Sequence, residues 1–394
     1  MRFTSVIWLP LCLAACAPMP RLAGAGSPAV AHRIRVRHPG VHADGPQTCT
    51  LYQLTDKKGF PSGYTMVVDS VICPDETCRI STVNMAWDAL GHYQRLELPP
   101  GEFLEKGVPA GVLRAAGPAA DWQGVAFTEA DYRKLDEILK NAHSLLGQHK
   151  LASPGGAQGK DLVDGITGAT PAAIRDAVVE GASLTCYNLW HWANGQVAEI
   201  AKELTHQRCG EALLLDFLSS DKPHYVLFAL EHLKRHTLFS PAAVQAVNNA
   251  MLGGDRERID LGLAYLRAAL PAPADYFENV GAMINRGSGE CRTYLLDRLA
   301  SENALPAGLF DALGEGLPGW NNYYETHLFL RLAEKHGAVS PFLITQAAKL
   351  LECPDFFIAR RAHGFLSSQP ALDGQTASRL QAFREKAEQE GRSL

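Results

Sequence analysis

The sequence predicts two folded regions in series, an α+β domain followed by an all-α array of paired helices. Three observations predict this. Between residues 48 and 100, short alternating segments are separated by Gly, Pro and Asp clusters, the punctuation of strands. From about Glu199 onward, apolar residues recur at helical spacing instead. Along that helical stretch the same pattern returns five times. The chain is 394 residues long, 46% hydrophobic and 20% charged, so it can bury more than one core and is not intrinsically disordered. A net charge of −5 argues against a nucleic-acid partner, which calls for a basic face.

The chain opens with an address. Arg2 precedes an apolar run from Val6 to Ala15, too short to cross a bilayer and the right size for a signal-peptide core. The run ends in Leu13-Ala14-Ala15-Cys16, which resembles a bacterial lipobox. The resemblance implies cleavage after residue 15 and lipidation of Cys16. Acyl chains at about 0.8 kcal/mol per buried CH₂ then anchor the protein on the periplasmic side. Ala17, where an Asp would mark retention, implies the outer membrane. Residues 16–47 read as a Pro/Gly/Ala-rich tether. Its basic stretch, His32-Arg33-Ile34-Arg35-Val36-Arg37-His38, alternates as a strand would, but reads rather as linker beside anionic headgroups.

Thr50–Leu54, Tyr64–Val68 and Tyr93–Leu98 read as strands. Thr128 reads as the N-cap of a helix carrying Tyr132, Leu135, Ile138 and Leu139 on one face. Residues 153–160, SPGGAQGK, form a break. In the helical region, segments starting at 217, 251, 283, 313 and 350 each show an apolar helix end, a Gly/Ser/Asp/Pro turn and a second amphipathic helix. Such pairs bury their apolar faces only by stacking. They resemble degenerate HEAT-like repeats; an irregular helical bundle is the alternative.

One motif carries chemistry. Asp164-Gly165-Ile166-Thr167-Gly168-Ala169-Thr170 supplies a hydroxyl after two residues with almost no side chain, so backbone and hydroxyl can approach a nucleotide. Pro171 suits a first helical position, with Ala172–Val179 as a short helix and Thr170 as its N-cap. A phosphate there would meet free backbone N–H groups. The motif resembles the Asp-x-x-Ser/Thr-Gly-Ala-Thr signature of the FMN-binding domain found in flavin-carrying subunits of sodium-pumping quinone reductases. The resemblance implies that a flavin transferase joins FMN to Thr170 as a phosphoester. Asp164, Thr167, Gly168, Ala169 and Thr170 match the constrained positions. Asp164 either orients the hydroxyl or a metal during transfer, or caps a turn.

Other candidates carry less. Ser183–Trp192 is dense in aromatic residues, which suit stacking on a flavin, a core, or a junction between the two regions. Cys186 within it is a candidate redox partner. Cys73 and Cys78 bracket a turn that a disulfide could clamp in an exported chain. His232 and His236 lie four apart, a metal-binding spacing, but read as a solvated helix face. No CxxCH, GxSxG, GxGxxG or Walker loop occurs.

The expectation is therefore an α+β FMN-binding-like domain followed by an all-α HEAT-like solenoid. The signal spans 1–15, the tether 16–47, the first domain 48–204 and the repeats 205–394. Function is expected to be electron transfer by covalent FMN at the cell envelope, with the helical array docking a redox or scaffold partner. The rival is a non-redox lipoprotein whose repeats bind protein.

Overall fold

The computed structural model describes residues 30–40, 45–70, 81–97, 113–114, 125–147, 178–180 and 182–394. The chain divides into two compact units after Arg208.

The first unit is built on an antiparallel meander in the order β1-β2-β3-β4-β5. Its strands are β1 (Val30–Val36), β2 (Gln47–Thr55), β3 (Pro61–Ser70), β4 (Ser81–Asp88) and β5 (Tyr93–Glu97). The turns follow from their residues. Asp56 Oδ1 accepts the N–H groups of Lys58 and Phe60, both at 2.8 Å. Asp88 Oδ1 does the same for Leu90 and His92. Gly91 closes that second turn at φ +80°, where a Cβ would lie 2.1 Å from the Ala198 carbonyl oxygen. Pro61 opens β3, a strand position that tolerates a missing donor.

Alternation places Ile34, Val36, Leu51, Tyr64, Met66, Val68, Val83, Met85 and Trp87 in one core. Three helices supply much of the rest of it: α1 (Glu129–Lys140), α2 (Ser183–Asn194) and α3 (Gln196–His206). Thr128 caps α1 in a capping box with Asp131, as its sequence predicts. The large polar-tipped rings of this core find partners. Trp87 Nε1 donates to the Ala193 carbonyl at 2.7 Å, Trp190 Nε1 to that of Asn141 at 2.9 Å, and Tyr64 shares a 2.8 Å bond with Thr205.

Two expectations are corrected here. The basic stretch is not linker: Val30–Val36 is β1, paired along its whole length with β2. Ile34 and Val36 enter the core while Arg33 and Arg35 face solvent, so alternation outweighs charge. The tether as drawn, 16–47, thus overlaps folded structure from Val30, and the first domain begins before residue 48. The helix expected over 172–179 does not include Val178 and Val179, which are non-helical and buried.

The second unit is helical, with no strand among the described residues. Its helices are α4 (Glu211–Leu218), α5 (Pro223–Arg235), α6 (Pro241–Leu252), α7 (Arg256–Ala269), α8 (Pro273–Arg286) and α9 (Gly289–Ala300). After them come α10 (Ala307–Gly316), α11 (Tyr323–His336), α12 (Pro341–Lys349), α13 (Phe356–Ser367) and α14 (Gly374–Gln389). The segments starting at 217, 251, 283 and 313 begin in the last turns of α4, α6, α8 and α10, and the fifth just beyond α12. The even-numbered helices α4 to α14 each pack on the next even one, and α5 on α7, α9 on α11 and α11 on α13. Start signals are local: Asp255, Ser288, Asn322, Asp355 and Asp373 cap helices with their side chains.

One arrangement recurs 100 residues apart. Ser240 caps α6 and donates to Glu211, while Ser340 caps α12 and donates to Asp311. The preceding helices end alike, with Thr237 at φ +53° and Gly337 at φ +60°. His232, read as lying on a solvated face, is buried and lies 4.0 Å from the Phe228 ring and 5.7 Å from the His236 ring; only His236 is exposed. The apolar stripe of α5 is wide enough to include it.

Candidate functional site

Cys16, Asp164, Thr167, Gly168, Ala169 and Thr170 lie outside the described residues, as do Cys73 and Cys78. What the structure does describe is the aromatic run that follows the motif. It is α2, and it is core: nine of its residues, from Leu184 to Ala193, are buried.

The helix carries polar groups into that core. Asn188 is fully buried and Trp192 is 2% exposed. Among the described residues, neither Asn188 Oδ1, Asn188 Nδ2, His191 Nε2 nor Trp192 Nε1 has a hydrogen-bond partner. Residues three and four apart share a helix face, so these atoms belong to one side of α2. A buried polar group left unpaired costs about 1–3 kcal/mol, which makes this the most expensive turn of the first unit's core.

The surroundings are aromatic. The His191 ring lies 4.3 Å from Tyr187 and 5.0 Å from Trp190, both edge-on. The His38 ring tilts over Trp192 at 4.4 Å. His38 comes from the segment after β1, which is tied down by three bonds. Arg37 N–H donates to Gln196 Oε1 at 2.8 Å, His38 Nε2 bonds the Asn188 carbonyl at 2.9 Å, and Gly40 N–H donates to His38 Nδ1 at 3.1 Å. His38 is thus the Nε2-protonated neutral tautomer. Gly40 lies on the Asn188 carboxamide so closely that a Cβ would fall 1.9 Å from Oδ1.

Titration behaviour agrees with an uncharged site. Burial pushes the His191 imidazole down to about 4, opposed only by a hydrogen bond to the Leu146 backbone. Cys186 is an unsuitable redox partner: burial pushes its thiol up to about 12, and Val179 N–H donates to its sulfur at 3.3 Å. Sequence reasoning leaves the run open between flavin contact, core and junction. Its packing role is now plain, whereas nothing in the sequence marks Asn188.

No family model, curated protein or solved structure matches the chain. Among the described residues no helix is long and apolar enough to cross a membrane.

Proposed function

We propose that the chain is a lipid-anchored carrier of covalent FMN at the bacterial cell envelope, where it mediates electron transfer. The observation that carries the reading is the complete Asp164 to Thr170 signature. In the attachment step the Thr170 hydroxyl oxygen attacks the flavin-side phosphorus of FAD. The phosphoanhydride breaks, AMP leaves and the hydroxyl proton is released; a flavin transferase is the partner that performs it. Bound there, FMN supplies one- and two-electron chemistry, while the chain supplies attachment, orientation and electrostatics. Covalent linkage suits the cell exterior, where a dissociated cofactor is lost. Cys16 lipidation holds the carrier at the membrane, most simply the outer one.

The second unit is read as a HEAT-like solenoid that docks the electron donor, the acceptor or a scaffold. Supporting this are the packing of alternate helices on one another and the recurrence of the Ser-Pro cap 100 residues on. A second reading, a protein-binding lipoprotein without flavin, is favoured by the exposed rings of Tyr323, Tyr324, Phe342 and Phe357 on that unit.

Export together with an active flavin transferase tests the first reading. The expected result is a flavin-fluorescent band on a denaturing gel and the mass of one FMN on the Thr170 peptide, both lost in Thr170→Ala. A colourless protein of unmodified mass overturns it and leaves the scaffold reading.

A further inference from the structure

Arg33, Arg35 and Arg37 occupy alternate positions along β1 and just past its end, and all three are exposed. Ile34, Val36 and His38, between and after them, are buried. Alternation therefore sends every guanidinium to the outer face, in a row about 13 Å long. β1 is the border of the sheet. Across from Arg33 and Arg35 on β2 stand Thr50 and Thr48, both exposed and uncharged. Neither strand contains a carboxylate.

Arginines elsewhere in the chain meet acids: Arg95 pairs with Glu97, Arg267 with Glu302, Arg298 with Asp260 and Arg361 with Glu334. Among the described residues, the guanidiniums of Arg33, Arg35 and Arg37 have no such partner. Charge on an edge strand discourages pairing with another chain, but that does not call for three cations aligned on one face without a counter-charge. In a chain of net charge −5 the row is a local field of opposite sign, and its complement is anionic. Side chains on one face of a strand stand parallel rather than converge, so the row suits anionic groups spread over a surface better than one small anion. The sequence sets which surface is near. Only residues 17–29 separate Cys16 from Val30, a reach of at most about 50 Å.

We propose that the outer face of β1 lies on anionic phospholipid headgroups, with Arg33, Arg35 and Arg37 meeting their phosphates, and so fixes which side of the first unit faces the membrane. A face held near the bilayer by its tether meets it at high effective concentration, so three individually weak contacts suffice. The inference rests on the lipid-anchor part of the proposed function for the nearness of the membrane, but not for the charge.

The full chain carrying Cys16→Ser, which has no site for acyl chains, is floated with vesicles of phosphatidylcholine alone or mixed with phosphatidylglycerol. Whatever its apolar start contributes is common to both. The expected result is a preference for the anionic vesicles that vanishes at about 1 M salt, where the Debye length is about 3 Å. Each single Arg→Gln change at 33, 35 or 37 should weaken that preference about fivefold, and Arg33→Gln/Arg35→Gln/Arg37→Gln about a hundredfold. Arg33→Lys/Arg35→Lys/Arg37→Lys keeps the charge and should keep most of the binding. Equal partition on both vesicle types, or a preference that the glutamines leave unchanged, overturns the inference. So does binding to polyglutamate in place of the vesicles. Anionic binding that the glutamines abolish upholds it even where wild-type Cys16 proves unlipidated, and in that case the anchor reading alone falls.

Discussion

Removing the Glu325 carboxylate should destabilise the second unit more than removal of any surface charge. Glu325 on α11 is 2% exposed and Arg292 on α9 is 15% exposed, with Nη1 and Oε2 2.6 Å apart. The guanidinium also donates to the carbonyls of Ile284 at 3.1 Å and Gly287 at 3.0 Å, and lies 5.0 Å from the Trp320 ring. One cation thus ties the end of α8 to α9 and α11. In Glu325→Ala the guanidinium keeps its two carbonyls but loses its counter-charge. Breaking a buried pair in this way costs about 3–5 kcal/mol. For a unit of this size each kcal/mol moves the melting temperature by roughly 2–4 °C, so a fall of about 6–20 °C is expected. Urea unfolding should show the midpoint falling with an unchanged slope. The double variant Arg292→Met/Glu325→Leu removes both charges and should recover most of the loss, because the cost lies in the stranded charge. A loss below about 1 kcal/mol in Glu325→Ala, the range of exposed pairs, would refute the reasoning.

Three further outcomes follow from single positions. Thr237→Gly should stabilise the second unit by about 0.5–1 kcal/mol in urea melts, because a β-branched residue is strained at φ +53° and Gly337 fills the matching place. Gly91→Ala should cost well over 2 kcal/mol, since its Cβ would meet the Ala198 carbonyl, whereas Gly59→Ala, at φ +83° with open space around it, should cost about 1 kcal/mol; equal losses would contradict the packing. His191 titrates lower in the folded state than its usual 6.5, so its neutral burial stabilises above pH 6.5 and that stability is lost as pH falls toward 4. With its partial exposure discounted, the loss is about 1–2 kcal/mol, and His191→Gln should flatten the stability profile over that window.

The elements most legible in the sequence are those whose signals are local. Thr128 with Asp131 three residues on announces α1, and Asp56 and Gly59 announce the β2–β3 turn, because caps and turns are written in adjacent residues. The helix pairs of the second unit are legible for the same reason, each Gly/Ser/Asp/Pro turn being a stop and a start. β1 is hidden because the arginines of its stretch obscure an alternation that only the pairing partner can reward. The burial of His232 is hidden because periodicity gives the centre of a helix face, not its width. Asn188 cannot be found from sequence at all: whether an amide is paired depends on residues far along the chain, here Gly40 and His38.

That dependence also bears on how the unpaired atoms of α2 are understood. A poorly packed core would leave polar groups unpaired at random, and most of the polar-tipped rings of this one are paired. Trp87, Trp190 and Tyr64 all reach partners, and Asn194, two residues beyond Trp192 on the same helix, bonds the Leu139 carbonyl at 2.9 Å. Gln53 Nε2 and Ser183 Oγ also lack partners among the described residues, but four of the unpaired atoms sit together at Asn188, His191 and Trp192 on α2. A leucine at 188 would fill the same space without the penalty, so packing alone does not require the amide. Local rules broken together in a well-satisfied core are the mark of a site held for something else.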